Sequence, residues 1–167
     1  MDQPIVNRVE ASGLVQLELD RWISVPQVVS CDLAAELVDG WVLMEKPFRE
    51  AVKKWDAAAY AGHDVAIHCS ADAILPDWAW MLAASRIVEL GGRPHVGTPQ
   101  TVAGERLIAA IEGADVAEFE GQRVMVRGCA SVGGPAALAA VVRKLQPVVK
   151  SLMFGEACSS VPVYKKR

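Results

Sequence analysis

The sequence predicts an α/β fold: one domain with a mostly parallel or mixed sheet flanked by helices. Short apolar runs of strand length alternate with longer amphipathic segments. Glycines and prolines punctuate the changes from one to the other. A chain of 167 residues is also long enough to bury one sizeable core without disulfide staples. Strands alternating with helices imply parallel pairing through right-handed crossovers, so residues 1–167 read as a single layered α/β domain.

The elements follow in order. "LVQLEL" (Leu14 to Leu19) has near period-2 character and predicts a strand whose outward Gln16 and Glu18 suit an edge position. Asp32 is placed to cap a short helix over "LAAELV", and "WVLM" (Trp41 to Met44) predicts a brief strand. Pro47 suits a first helical position, and Phe48, Val52 and Trp55 give the following helix one apolar face. "DVAIHC" then predicts a buried strand, and "DWAWMLAASRIVEL" a helix closed by Gly91 and Gly92. "PHVG" is a minimal strand; Thr98 and Pro99 open a helix reaching about Gly113. "RVMVRGC" is the next strand, "AALAAVVRKL" the helix after it, and "SLMFGEAC" a last strand.

Seventeen Lys and Arg against twenty Asp and Glu leave a formal charge of −3, which offers phosphate backbones no general attraction and excludes nucleic acid as the expected partner. Lys165, Lys166 and Arg167 form the one basic run, at the C-terminal end, where a solvated tail is expected. The N-terminal stretch lacks the basic and apolar regions of a signal peptide, and no apolar run approaches the roughly 20 residues of a membrane span. A cytoplasmic protein without a membrane partner is expected. Thiols stay reduced there, so Cys31, Cys69, Cys129 and Cys158 read as free, catalytic or metal-binding side chains.

Cys69, Cys129 and Cys158 each fall at or just after the C-terminal end of an expected strand, the edge where open α/β sheets bind ligands. A small residue follows each one, Ser70, Ala130 and Ser159, and lets the backbone approach a ligand closely. Three thiolates with His68 would complete a tetrahedral zinc site. Three thiolates alone would leave the open position that catalytic metals and some iron–sulfur clusters use. Neighbouring strand residues point to opposite faces, so His68 and Cys69 converge only where the strand breaks. Asp72, Arg127 and Glu156 are accessory candidates at the same edge. Arg127 is conspicuous because a charge inside a parallel strand must be paired, with an acidic group or a bound anion. Asp72 could equally cap the following helix. Cys31 reads as a small buried hydrophobe. No GxGxxG, Walker, GxSxG, HExxH or EF-hand pattern occurs, which argues against a standard nucleotide enzyme.

The segments "VAIHCSADAILPDWAWMLA", "RGC" and "GEACSSVPVYKK" resemble a bacterial family known as domain of unknown function 2480, and the likeness extends from "IVNRVEASGLV" to "LQPVVKSLMFGEACSSVPVYKK". That resemblance implies a self-contained domain and supplies no substrate or catalytic residue. The run from Phe48 to Gly97 is also similar in layout to sulfate-transporter/anti-sigma-antagonist domains, which act as protein-binding switches.

Three functions compete on these residues. The first is a metalloprotein holding zinc or an iron–sulfur cluster through Cys69, Cys129 and Cys158, with His68 or a small-molecule ligand in the fourth place. The second is a thiol enzyme with Cys69 as nucleophile, activated by a helix N-terminus and by His68 or Arg127. The third is an interaction domain, including a homo-oligomer, that presents tryptophan and "VPVYKK" to a partner.

Overall fold

A computed structural model describes residues 13–24, 27–127, 132–156 and 159–167. In chain order the elements are β1 (Leu14–Glu18), α1 (Leu19–Trp22), β2 (Val28–Asp32), a 3-10 turn (Leu33–Glu36), α2 (Glu45–Lys53), α3 (Ala57–Tyr60), β3 (Asp64–His68), α4 (Asp77–Glu89), β4 (Arg93–Val96), α5 (Pro99–Gly113), a second 3-10 turn (Ala117–Phe119), β5 (Arg123–Arg127), α6 (Gly134–Leu145), β6 (Ser151–Glu156) and β7 (Ser159–Lys165). The fold is mixed α/β with mostly parallel strands, as the alternation predicts.

These strands form two sheets, of order β1-β5-β6-β7 and β2-β3-β4. They belong to two compact units, Met1–Val25 with Gly104–Arg167 and Pro26–Ala103. The shared sheet edge expected for the three thiols is therefore corrected. Cys69 follows a strand of the three-stranded sheet, whereas Cys129 and Cys158 follow neighbouring strands of the four-stranded one. Periodicity is a local signal: it marks strands but not which strands pair, and β1 takes as its partner β5, more than a hundred residues away.

In the middle unit all three strands run parallel, with Asp32 opposite His68 and Ala66 opposite His95. Alternation sends Cys31, Val65 and Ile67 to one face, where they pack with Phe48 and Val52 of α2 and with Ala79, Ala83 and Ile87 of α4. The 4-residue spacing of the last three makes one buried stripe, and its two alanines let α4 lie close to the sheet. The other face carries Ser30, Asp32, Asp64, His68, Arg93 and His95, a polar row on a parallel sheet.

The four-stranded sheet has β1, β5 and β6 parallel and β7 antiparallel at its edge. Leu17, Val124, Val126 and Leu152 pack with Leu107 and Ile111 of α5 and with Ala137, Val141 and Leu145 of α6. A Cβ on Gly104 would lie 3.0 Å from the Gly133 Cα, tighter than ordinary packing, so the close approach of α5 to the turn before α6 favours glycine there.

Several local expectations fare differently. Asp32 caps the first 3-10 turn, accepting from the Ala34 N–H at 3.0 Å, and Thr98 Oγ1 accepts from the Thr101 N–H at 3.2 Å at the start of α5. Trp41 to Met44 do not form a strand: exposed Trp41 lies in a surface turn that a bridge between Val38 and Val42 closes. Pro47 sits within the first turn of α2, where a missing N–H has no intrahelical acceptor to lose. Two strands are additional to those expected. β2 is hidden by the polar Ser30 and Asp32 on its open face, and β7 by Pro162, which only an edge strand tolerates.

Candidate functional site

β3 ends at His68, and the two candidates at this point diverge as alternation demands. His68 Nε2 lies 2.8 Å from Ser30 Oγ, on the polar face. Cys69 packs against the apolar cluster of the opposite face, half-buried, its Sγ 3.6 Å from the Ala71 carbonyl oxygen. Asp32 closes the corner, accepting from the Ser70 N–H at 3.0 Å. Burial would push its carboxyl up, but hydrogen bonds from Ser70 and the Ala34 N–H, together with nearby His68, hold it below the usual carboxylate range. Asp72 is exposed in a bend and does not cap α4, whose first turn follows Pro76 without a side-chain cap.

At the other end of β3, buried Asp64 accepts from Arg93 Nε at 3.1 Å and meets His95 Nε2 at 2.8 Å. The polar row of this sheet is thereby largely engaged with itself. Cys31 is buried beneath it, as expected. Loss of solvent, with Glu36 and Asp32 adding, raises its thiol to about 11 against a hydrogen bond with Tyr60 that lowers it.

The second cluster lies on the four-stranded sheet, where β5 ends at Arg127 and its parallel neighbour β6 at Glu156. Arg127 Nη2 donates to Glu156 Oε2, and Nη1 donates to Gln16 Oε1 at 2.7 Å with Glu18 Oε1 at 3.8 Å. The sequence demand that Arg127 be paired is met by carboxylates. Gln16 and Glu18 were not singled out as its partners, because nothing local announces that β1 lies beside β5. They also border an open groove of about 490 Å³, with Trp22 and Phe119.

Cys129 and Cys158 lie outside the described residues. In the sequence each stands two positions after the end of its strand, Arg127 and Glu156 respectively. Among the described residues no group of three or more His, Cys, Asp or Glu side chains could hold a metal ion, and no helix is long and apolar enough to cross a membrane.

An α/β architecture that places candidate side chains at strand carboxyl ends defines a class of fold but not an activity. A family profile described as "Protein of unknown function (DUF2480)" matches residues 3–166, and the chain belongs to that family. No curated protein and no solved structure matches it.

Proposed function

We propose that this is a metal-binding protein of the cytoplasm, with Cys129 and Cys158 as the thiolate pair of a zinc or iron–sulfur centre. The supporting observation is that β5 and β6 are hydrogen-bonded parallel neighbours and that each is followed, two residues past its end, by a cysteine. Parallel neighbours end on the same edge of a sheet, where α/β folds gather ligands, and soft thiolates select zinc and iron–sulfur chemistry over harder cations. Cys69 follows a strand of the three-stranded sheet, in the other compact unit, and is not counted with the pair. His68 is the weakest of the expected ligands, because its Nε2 already faces Ser30.

Elemental analysis with an ultraviolet–visible spectrum, on protein purified without oxygen, tests this reading. About one zinc per chain indicates a thiolate zinc site; about four irons with sulfide absorption indicate a cluster. A chain that holds neither metal, as purified or after reconstitution, refutes the proposal.

A further inference from the structure

We propose that the four-stranded sheet carries an anion site for a small organic phosphate, seated among Arg123, Lys150, Ser151 and Lys165. The site is independent of the metal reading and uses the amino ends of β5 and β6. Arg123 opens β5, Ser151 opens β6 and Lys165 closes the antiparallel β7, and the register sets Arg123 beside Ser151 and Ser151 beside Lys165. The three side chains therefore share one row across adjacent strands. Lys150 precedes the row with its backbone held on both sides: its N–H donates to the Gln122 carbonyl at 2.7 Å, and its carbonyl accepts from the Lys166 N–H at 2.9 Å. These four residues and Met153 line a pocket of about 440 Å³.

Three cations and a hydroxyl line this pocket, and no carboxylate lines it among the described residues. Gathering like charges works against folding, and the chain as a whole carries a net charge of −3, so the pocket runs against the general balance. Lys165, expected from the sequence to belong to a solvated tail, is the last residue of a strand. A lysine on an edge strand deters edge-to-edge pairing, which accounts for Lys165 alone, because β5 and β6 are interior strands. An anion accounts for all three cations. Neighbouring strands stand about 4.8 Å apart, so Arg123 and Lys165 flank Ser151 at about 10 Å from each other, a span that their long arms close around one oxyanion. The arginine supplies a planar fork, the lysines point charges, and the Ser151 hydroxyl a further donor. Met153, two residues beyond Ser151, lends the same pocket an apolar wall, which favours a phosphate ester over the free ion.

The test is isothermal titration calorimetry of the full chain with phenyl phosphate and with inorganic phosphate, each at constant ionic strength. One saturable site per chain is expected, with phenyl phosphate the tighter ligand. Lys150→Met and Lys165→Met should each weaken binding by about tenfold or more, as loss of a charge-assisted hydrogen bond implies, and Ser151→Ala by a smaller factor. Lys46→Met removes the same charge from α2, in the other compact unit, and should leave binding unchanged. Lys150 and Lys165 are both exposed, and relief of like-charge repulsion should leave the urea midpoint of either variant at or above that of wild type, so lost binding is not lost folding. Inorganic phosphate bound as tightly as the ester overturns the part given to Met153. An equal loss in Lys46→Met, wild-type affinity in both Lys150→Met and Lys165→Met, or no saturable binding of either probe overturns the site, whatever metal the chain holds.

Discussion

The two sheets treat their polar residues in opposite ways. On the three-stranded sheet Ser30 meets His68, Asp32 takes the Ser70 and Ala34 amides, and Asp64 takes Arg93 and His95, so donors and acceptors are matched within the row. On the four-stranded sheet a single arginine spans three strands, keeps one enclosed nitrogen without a hydrogen-bond partner among the described residues, and stands two positions before a cysteine in the sequence. A polar row that satisfies itself is architecture, because its groups are already committed. An arginine held by carboxylate and amide groups of both neighbouring strands, at strand ends that cysteines follow in the sequence, is where chemistry is expected.

The comparison can be broken first at the core that supports the polar row. Phe48 is fully buried among the Trp55 and Trp78 rings, and Phe48→Ala should cost about 3–5 kcal/mol in urea unfolding followed by tryptophan fluorescence. A loss below 1 kcal/mol would mean that the aromatic cluster is not the keystone of that unit.

Next in size is an alkaline effect from Cys31. Its thiol is raised from 9.0 to about 11 in the folded chain, so folding keeps a proton that the unfolded chain gives up earlier. Stability is then full below pH 9 and falls by about 2 kcal/mol as pH rises through 11. Cys31→Ala should flatten that limb of the stability curve. The same burial predicts that iodoacetamide at neutral pH alkylates half-exposed Cys69 well before Cys31, as peptide mapping would report.

Asp32 acts in the opposite direction. Its folded carboxyl lies below the usual range, so its contribution is present above the unfolded value and is lost as pH falls through the folded one. Ser70→Ala should make the acid limb shallower, and an unchanged acid limb would deny Ser70 its part in holding Asp32 ionised. The smallest effect belongs to Ser30→Ala, which removes one exposed hydrogen bond and should cost less than about 1 kcal/mol while leaving metal content unchanged. Loss of metal in that variant would move the centre to the polar row.

Much of the fold was legible in the sequence because element type is local. The stripe Ala79, Ala83 and Ile87, the caps at Asp32 and Thr98, and the apolar run of β3 each announce themselves within a dozen residues. Sheet membership is a long-range choice, and a single-sheet reading could not separate the strand before Cys69 from those before Cys129 and Cys158. At the site, the cost of a charge inside a strand singled out Arg127 and required a partner, and alternation warned that His68 and Cys69 diverge. The identities of Gln16 and Glu18 as partners depended on the pairing of β1 with β5, which no local pattern encodes.

The most direct measurement is the metal content per chain of Cys129→Ser and Cys158→Ser beside that of wild type and Cys31→Ser, all purified without oxygen. A thiolate centre on the ends of β5 and β6 predicts stoichiometric zinc or iron in wild type and Cys31→Ser, and its loss in both of the other variants. Full metal in Cys129→Ser and Cys158→Ser, or none in wild type, would contradict it.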